Sequence, residues 1–221
     1  MCMKKTILLA LLAVMTLATS CRSFNGPRQT KEWQAIIDRY APKDSCTSLI
    51  LVKYTGDRSN ATVEYFVRNM KGRLEFDSKN DGYVGKNGIG KQKEGDKRTP
   101  VGEFNMPLAF GILENPGTEL EYIDVTPTTF GCDNPEYYNQ IIDTARTGHQ
   151  CTGEEMFKIR PAYNYGIAIG YNPENIFGLG CLIFFHCKGT HPYTSGCVSV
   201  DEDFIKHVLQ TCGTKPVISI H

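Results

Sequence analysis

A mainly β domain with peripheral helices is the fold class that this 221-residue sequence predicts. Runs of alternating apolar and polar residues, rich in Val, Ile, Phe and Tyr, recur along the chain between clusters of Gly, Asn, Asp and Pro. Helical spacing of apolar residues is confined to short stretches. After Cys21 roughly 200 residues remain, enough for one domain with a substantial core.

Met1 to Cys21 reads as an export signal: Lys4-Lys5, an apolar run from Ile7 to Leu17, then Ala18-Thr19-Ser20-Cys21. The run is too short to span a bilayer, and small residues precede the cysteine. This resembles a bacterial lipoprotein signal, which implies cleavage before Cys21 and lipid on its thiol. Residues 1–20 are then signal peptide, 21–30 a tether and 31–221 the domain, held at the periplasmic face of a membrane in the cell envelope. Formal charge is zero, which gives no reason to expect nucleic acid as a partner.

The elements follow in order. Lys31 to Tyr40 is predicted as an amphipathic helix, with Trp33, Ile36, Ile37 and Tyr40 at helical spacing and Trp33 a packing residue. Ser48–Val52, Thr62–Arg68 and Arg73–Phe76 alternate as strands around turns at Gly56 and Gly72, an antiparallel meander. Asp81 to Asp96 reads as loop; its Gly85, Gly88 and Gly90 lack the Lys-Ser ending and strand-to-helix setting of a phosphate-binding loop. Helices are expected at Pro135–Thr144, from the strip Tyr138, Ile141 and Ile142, and at Thr152–Ile159, from a Thr152/Glu155 capping box. Strands at Gly166–Tyr171, Leu182–Cys187 and Cys197–Val200, a helix at Asp201–Gln210 and a strand at Pro216–Ile220 close the chain.

The sequence has nine cysteines. Cys2 leaves with the signal, Cys21 takes lipid and Cys197 stays free if it does chemistry. Cys46, Cys132, Cys151, Cys181, Cys187 and Cys212 remain, and an exported chain permits disulfides among them. At most one or two are expected, with Cys132–Cys151 the favoured local pair.

The chemistry concentrates in Ile183-Phe184-Phe185-His186-Cys187 and, ten residues on, Thr194-Ser195-Gly196-Cys197-Val198. A cysteine thiol, with a pKa of about 8.5, is mostly protonated at neutral pH, so thiol enzymes bring an imidazole within hydrogen-bond reach. His186 and Cys197 offer such a base and nucleophile, as an ion pair if the proton has already moved. The amides of Gly196 and Cys197 are oxyanion-hole candidates. Strand alternation puts His186 with Leu182 and Phe184, opposite Cys187, which argues against His186, Cys187, His191 and Cys197 sharing a zinc ion. By themselves these residues leave packing roles open.

Several segments together resemble the L,D-transpeptidase catalytic domain, the YkuD-like family. They are Lys93-Glu94-Gly95-Asp96-Lys97-Arg98-Thr99-Pro100-Val101-Gly102-Glu103-Phe104, Asp133-Asn134-Pro135 with Tyr138-Asn139, Ile183-Phe184-Phe185-His186 and Thr194-Ser195-Gly196-Cys197-Val198. The resemblance implies a mainly β sandwich or mixed sheet and a cysteine acyltransferase that acts on peptidoglycan stem peptides. Cys197 is then nucleophile, His186 base, and Gly196 part of the oxyanion region. Ser195 stands where the familiar Ser-His-Gly-Cys motif has histidine; its hydroxyl, or a backbone carbonyl, could orient the imidazole. The implied enzyme is a monomer that uses no cofactor or metal. A hydrolase of the same fold and a non-catalytic peptidoglycan-binding lipoprotein are the competing expectations. Thr99 to Gly102 is expected as a turn beside the cleft, Arg160, Tyr163 and Asn172 in edge and turn roles, and His191 as a solvated loop residue.

Overall fold

The computed structural model describes residues 26–42 and 44–221. The expected signal, the expected anchor at Cys21 and the first part of the expected tether lie outside the described residues. Helix α1 (Lys31–Arg39) starts at Thr30, whose hydroxyl accepts the Trp33 N–H. Strands β1 (Ser48–Tyr54), β2 (Asn60–Arg68) and β3 (Leu74–Tyr83) form the expected meander, antiparallel throughout, with a bulge at Tyr65/Phe66. β3 extends well past Phe76 into the stretch expected as loop. Glu75, Asp77, Lys79 and Asp81 stand in solvent along it, so backbone pairing to β2 holds a strand whose hydrophobic alternation ends at Phe76.

The middle of the chain departs further from expectation. It holds β4 (Gly102–Asn105), β5 (Leu108–Gly111), β6 (Glu121–Asp124), β7 (Thr129–Cys132) and β8 (Gln140–Asp143). The helix expected at Pro135–Thr144 is a single 3-10 turn, Pro135–Tyr137, followed by β8 and the short α2 (Thr144–Thr147). Asn139 interrupts it in the left-handed region, φ 63°, and its amide serves Leu182, Tyr171 and Asn172 instead of a helix. The Thr152/Glu155 capping box does not form. Thr152 Oγ1 bonds Asp133, and β9 (Glu154–Glu155) with the 3-10 turn Met156–Lys158 replaces the helix. β8 and β9 flank β7 in a small antiparallel sheet.

The remaining strands are β10 (Gly166–Ala168), β11 (Phe184–Cys187), β12 (Val198–Val200) and β13 (Pro216–Ile220), with α3 (Glu202–Thr211) before the last. They join a large mixed sheet in the order β4-β13-β1-β2-β3-β12-β11-β10-β5-β6. The molecule is mainly β, as the alternation predicts.

Burial explains why β1 reads as a continuous apolar run. Ile50 and Val52 face the main core with Phe204, Ile205, Val208 and Leu209 of α3, whereas Leu49 and Leu51 face Ile36 and Ile37 of α1. A strand covered on both faces needs no polar side. The same core takes Phe185, fully buried on the strand that carries the candidate base. Phe185→Ala is expected to destabilise the fold by about 3–5 kcal/mol, measured by urea unfolding.

Candidate active site

β11 and β12 are parallel neighbours, with Phe185 opposite Val198 and His186 opposite Ser199. Phe185 and Cys187 enter the main core, while Leu182, Phe184 and Cys197 belong to a second cluster on the other side. His186 therefore points to the Cys197 side, as strand alternation requires.

Cys197 sits one residue before β12 with its backbone held from two directions. Its carbonyl accepts the Thr194 hydroxyl at 2.6 Å and the Thr99 hydroxyl at 3.1 Å, and Thr99 Oγ1 in turn accepts the Gly85 N–H at 2.8 Å. Fully buried Thr99 thus supports Cys197 from the turn the sequence places beside the cleft. The Cys197 thiol lies 3.4 Å from the Leu182 carbonyl, and its sulfur accepts the Phe184 N–H at 3.3 Å.

His186 Nδ1 is 2.7 Å from the Cys187 carbonyl. A carbonyl only accepts, so Nδ1 carries the proton and Nε2 keeps its lone pair. The backbone, not Ser195, orients the ring. Tyr163 packs edge-on against the imidazole at 5.5 Å, and its hydroxyl donates to the carboxylate of Glu154.

Two cavities meet at this point. One, of about 250 Å³, is bounded by His186, Tyr163, Arg160 and His191; the other, of about 290 Å³, by Lys91, Glu94, Asp133 and Cys181. Cys197, Ser195 and Glu154 line both. His186 and Cys197 share the first cavity, and no hydrogen bond joins them.

Burial sets the charge state. It lowers the His186 pKa to about 4, against a smaller raising effect of the Cys187 carbonyl. It raises the Cys197 thiol to about 12, with the Glu154 charge adding to the rise and the Phe184 N–H and Lys91 opposing it. Both groups are neutral at pH 7, so of the two charge states left open by the sequence, the neutral pair is the one that burial favours. Alkylation of Cys197 by iodoacetamide should then be slow at neutral pH and still rising above pH 9, because the thiolate fraction grows up to the thiol pKa. A rate already level by pH 7 would point to a preformed thiolate.

The remaining expected residues have settled roles. Ser195 is exposed and makes no hydrogen bond among the described residues. The Gly196 N–H donates to Thr194 Oγ1 at 3.1 Å, so it is not free for an oxyanion, whereas the Cys197 N–H has no acceptor among the described residues. Asn172 is structural, tying Ile176 and Gly180 together. Arg160 lies over the Phe157 ring, and His191 stacks on Tyr193 at the mouth of the first cavity. Cys132 and Cys151 form the expected disulfide, while Cys46, Cys181, Cys187, Cys197 and Cys212 are free. Among the described residues, no group of three or more His, Cys, Asp or Glu converges as metal ligands, and no helix is long and apolar enough to cross a membrane.

Lys91 and Glu154 are the site residues that sequence reading missed. Lys91 lay in a loop marked only by glycine, and Glu154 inside a stretch read as helix.

No protein-family model matches the chain, and no curated protein is significantly similar to it. Among solved structures it is similar to the helical cell shape determining protein Pgp2 from Campylobacter jejuni, at 16% identity and a TM-score of 0.42. A point variant of that protein matches at 15% identity with the same TM-score. Each match covers 80% of this chain and 48% of the other, so the chain spans about half the length of those structures.

Proposed function

We propose that the protein is an envelope cysteine acyltransferase acting on peptidoglycan stem peptides, with the chemistry of an L,D-transpeptidase. The observation that carries the reading is Cys197 at the junction of two cavities, with His186, whose Nε2 is unprotonated, lining one of them. A nucleophile open on two sides suits a reaction that takes an acyl group from one peptide and gives it to another.

The thiol proton passes to His186 Nε2 as Sγ attacks the carbonyl that joins the L-centre of a diamino acid to the following D-alanine. The carbonyl π pair moves to oxygen. Its return breaks the C–N bond, and D-alanine leaves with the proton from His186, so that Cys197 holds a thioester. An amine on a neighbouring stem attacks that thioester, His186 takes its proton, and the thiol regains it on release. In this reading lipid on Cys21 holds the domain at the membrane, where its polymer substrate lies.

Incubation of the purified chain with tetrapeptide muropeptides tests the proposal. A thioester on Cys197 by intact mass and cross-linked dimers are expected. Tripeptide alone would replace transfer by hydrolysis, and the absence of both thioester and products would leave a binding protein.

A further inference from the structure

The tetrahedral intermediate needs donors for the negative oxygen, and two backbone N–H groups usually share that task. Here the Gly196 N–H is committed to Thr194, which leaves the Cys197 N–H as the unpaired amide beside the thiol. A second donor has to come from elsewhere on the cavity wall.

Lys91 lines the same cavity as Gly196 and Cys197, with its side chain only 2% exposed. Its Nζ lies 3.6 Å from the position that a Cβ on Gly196 would occupy, against the residue just before the nucleophile. Gly180 clears its path. A Cβ on Gly180, φ 122°, would come 2.3 Å from Lys91 Cε, and Gly196 itself has φ 151°.

The ammonium is also anchored. Asp96 Oδ1 accepts it at 3.0 Å, and the same carboxylate accepts the N–H groups of Gln92 at 2.7 Å, Lys93 at 3.2 Å and Arg98 at 3.0 Å. Asp96 therefore fixes the loop and the lysine head together. One of three ammonium donors is used, which leaves two for the cavity. The groups that face it there are Glu94, Asp133 and Glu154, of which Glu94 accepts the Tyr138 hydroxyl and Glu154 that of Tyr163.

We propose that Lys91 is a catalytic residue that donates a hydrogen bond to the oxyanion formed on the Cys197 adduct, alongside the Cys197 N–H. This rests on the acyl-transfer reading above. In the step, a sulfur lone pair forms the S–C bond, the carbonyl π pair moves to oxygen and the thiol proton goes to His186. Lys91 keeps its proton and gives it up at no stage. The charge-assisted bond is made in the intermediate and has no equivalent in the neutral carbonyl.

Two reactions of one thiol separate this role from the alternatives. Acylation by a tetrapeptide stem passes through an oxyanion, and alkylation by iodoacetamide does not. Lys91→Met keeps the apolar stem and removes the charge. It is expected to lower kcat for D-alanine release by about 10²–10³-fold, the loss seen when one oxyanion donor is removed, with KM within about threefold of the wild type and alkylation slowed far less than kcat, by the minor share that the Lys91 charge has in stabilising the thiolate. Lys91→Gln retains a neutral donor and should lose less, and it serves as the second variant if Lys91→Met unfolds in a thermal melt.

A rise in KM at unchanged kcat would make Lys91 a ground-state clamp for substrate carboxylate and overturn the proposal. Equal losses in alkylation and acylation would make it a thiolate counter-charge and overturn it too. A wild-type chain that releases no D-alanine and forms no thioester would instead remove the acyl-transfer reading, a failure distinct from that of Lys91.

Discussion

Cys197→Ala is expected to abolish thioester formation and with it both transfer and hydrolysis. Deletion of a nucleophile in a comparable covalent enzyme costs on the order of 10⁶ in kcat, because the remaining groups have no covalent partner to serve. The fold should survive in a graded way. The sulfur accepts the Phe184 N–H and the thiol donates to the Leu182 carbonyl, so alanine leaves two buried backbone groups unpaired. The expected cost is about 1–3 kcal/mol in urea unfolding. Cys197→Ser keeps both hydrogen bonds and should restore most of that stability, yet stay inactive. Full cellular function in Cys197→Ala cells would rule out the covalent mechanism.

His186→Asn comes next in size, with kcat/KM for D-alanine release expected to fall by about 10²–10⁴-fold. Asparagine can still donate to the Cys187 carbonyl from the place of Nδ1, so the variant removes Nε2 with little damage to the strand. Retained folding with lost activity would separate catalysis from packing. The pH profile carries the sign. His186 acts as a base when neutral, and burial lowers its pKa to about 4. Wild-type activity should therefore persist as pH falls below 6 and be lost only as it passes through about 4. His186→Asn should lack that acid limb. A wild-type limb near 6.5 would mean that the imidazole is solvated in the working enzyme.

The strands that carry the site were legible because their side chains obey simple geometry. Leu182 to Cys187 and β1 bury both faces, so their apolar runs stand out, and alternation alone put His186 opposite Cys187. The middle of the chain was misread where polar side chains took over backbone work. Asn139 breaks the helix that Tyr138, Ile141 and Ile142 suggest, because its amide bonds Leu182, far away in sequence. Thr152 looked like a helix cap and instead ties to Asp133.

Within the site, Cys197 and His186 were proposed from sequence as nucleophile and base, but their charge state could not be read there. It depends on burial that short motifs do not encode. Lys91 gave no sign for the same reason: its position depends on Asp96 and on Gly180, which lies far along the chain. Ser195 drew attention by its place in a motif, yet of the two ring-orienting groups considered it is the backbone carbonyl, that of Cys187, that bonds the imidazole.

The Cys132–Cys151 bridge joins the end of β7 to the segment that leads into Glu154, and so ties down the wall shared by both cavities. In the proposed mechanism the protein thus needs one sulfur pair oxidised and the Cys197 sulfur reduced. A strong reductant added to protect Cys197 would also untie Glu154 from its frame, while an oxidant strong enough to secure the bridge would threaten the nucleophile. Full activity should occupy a band of redox potential, falling off on both sides, and the buffer in which the protein is handled decides which form is assayed.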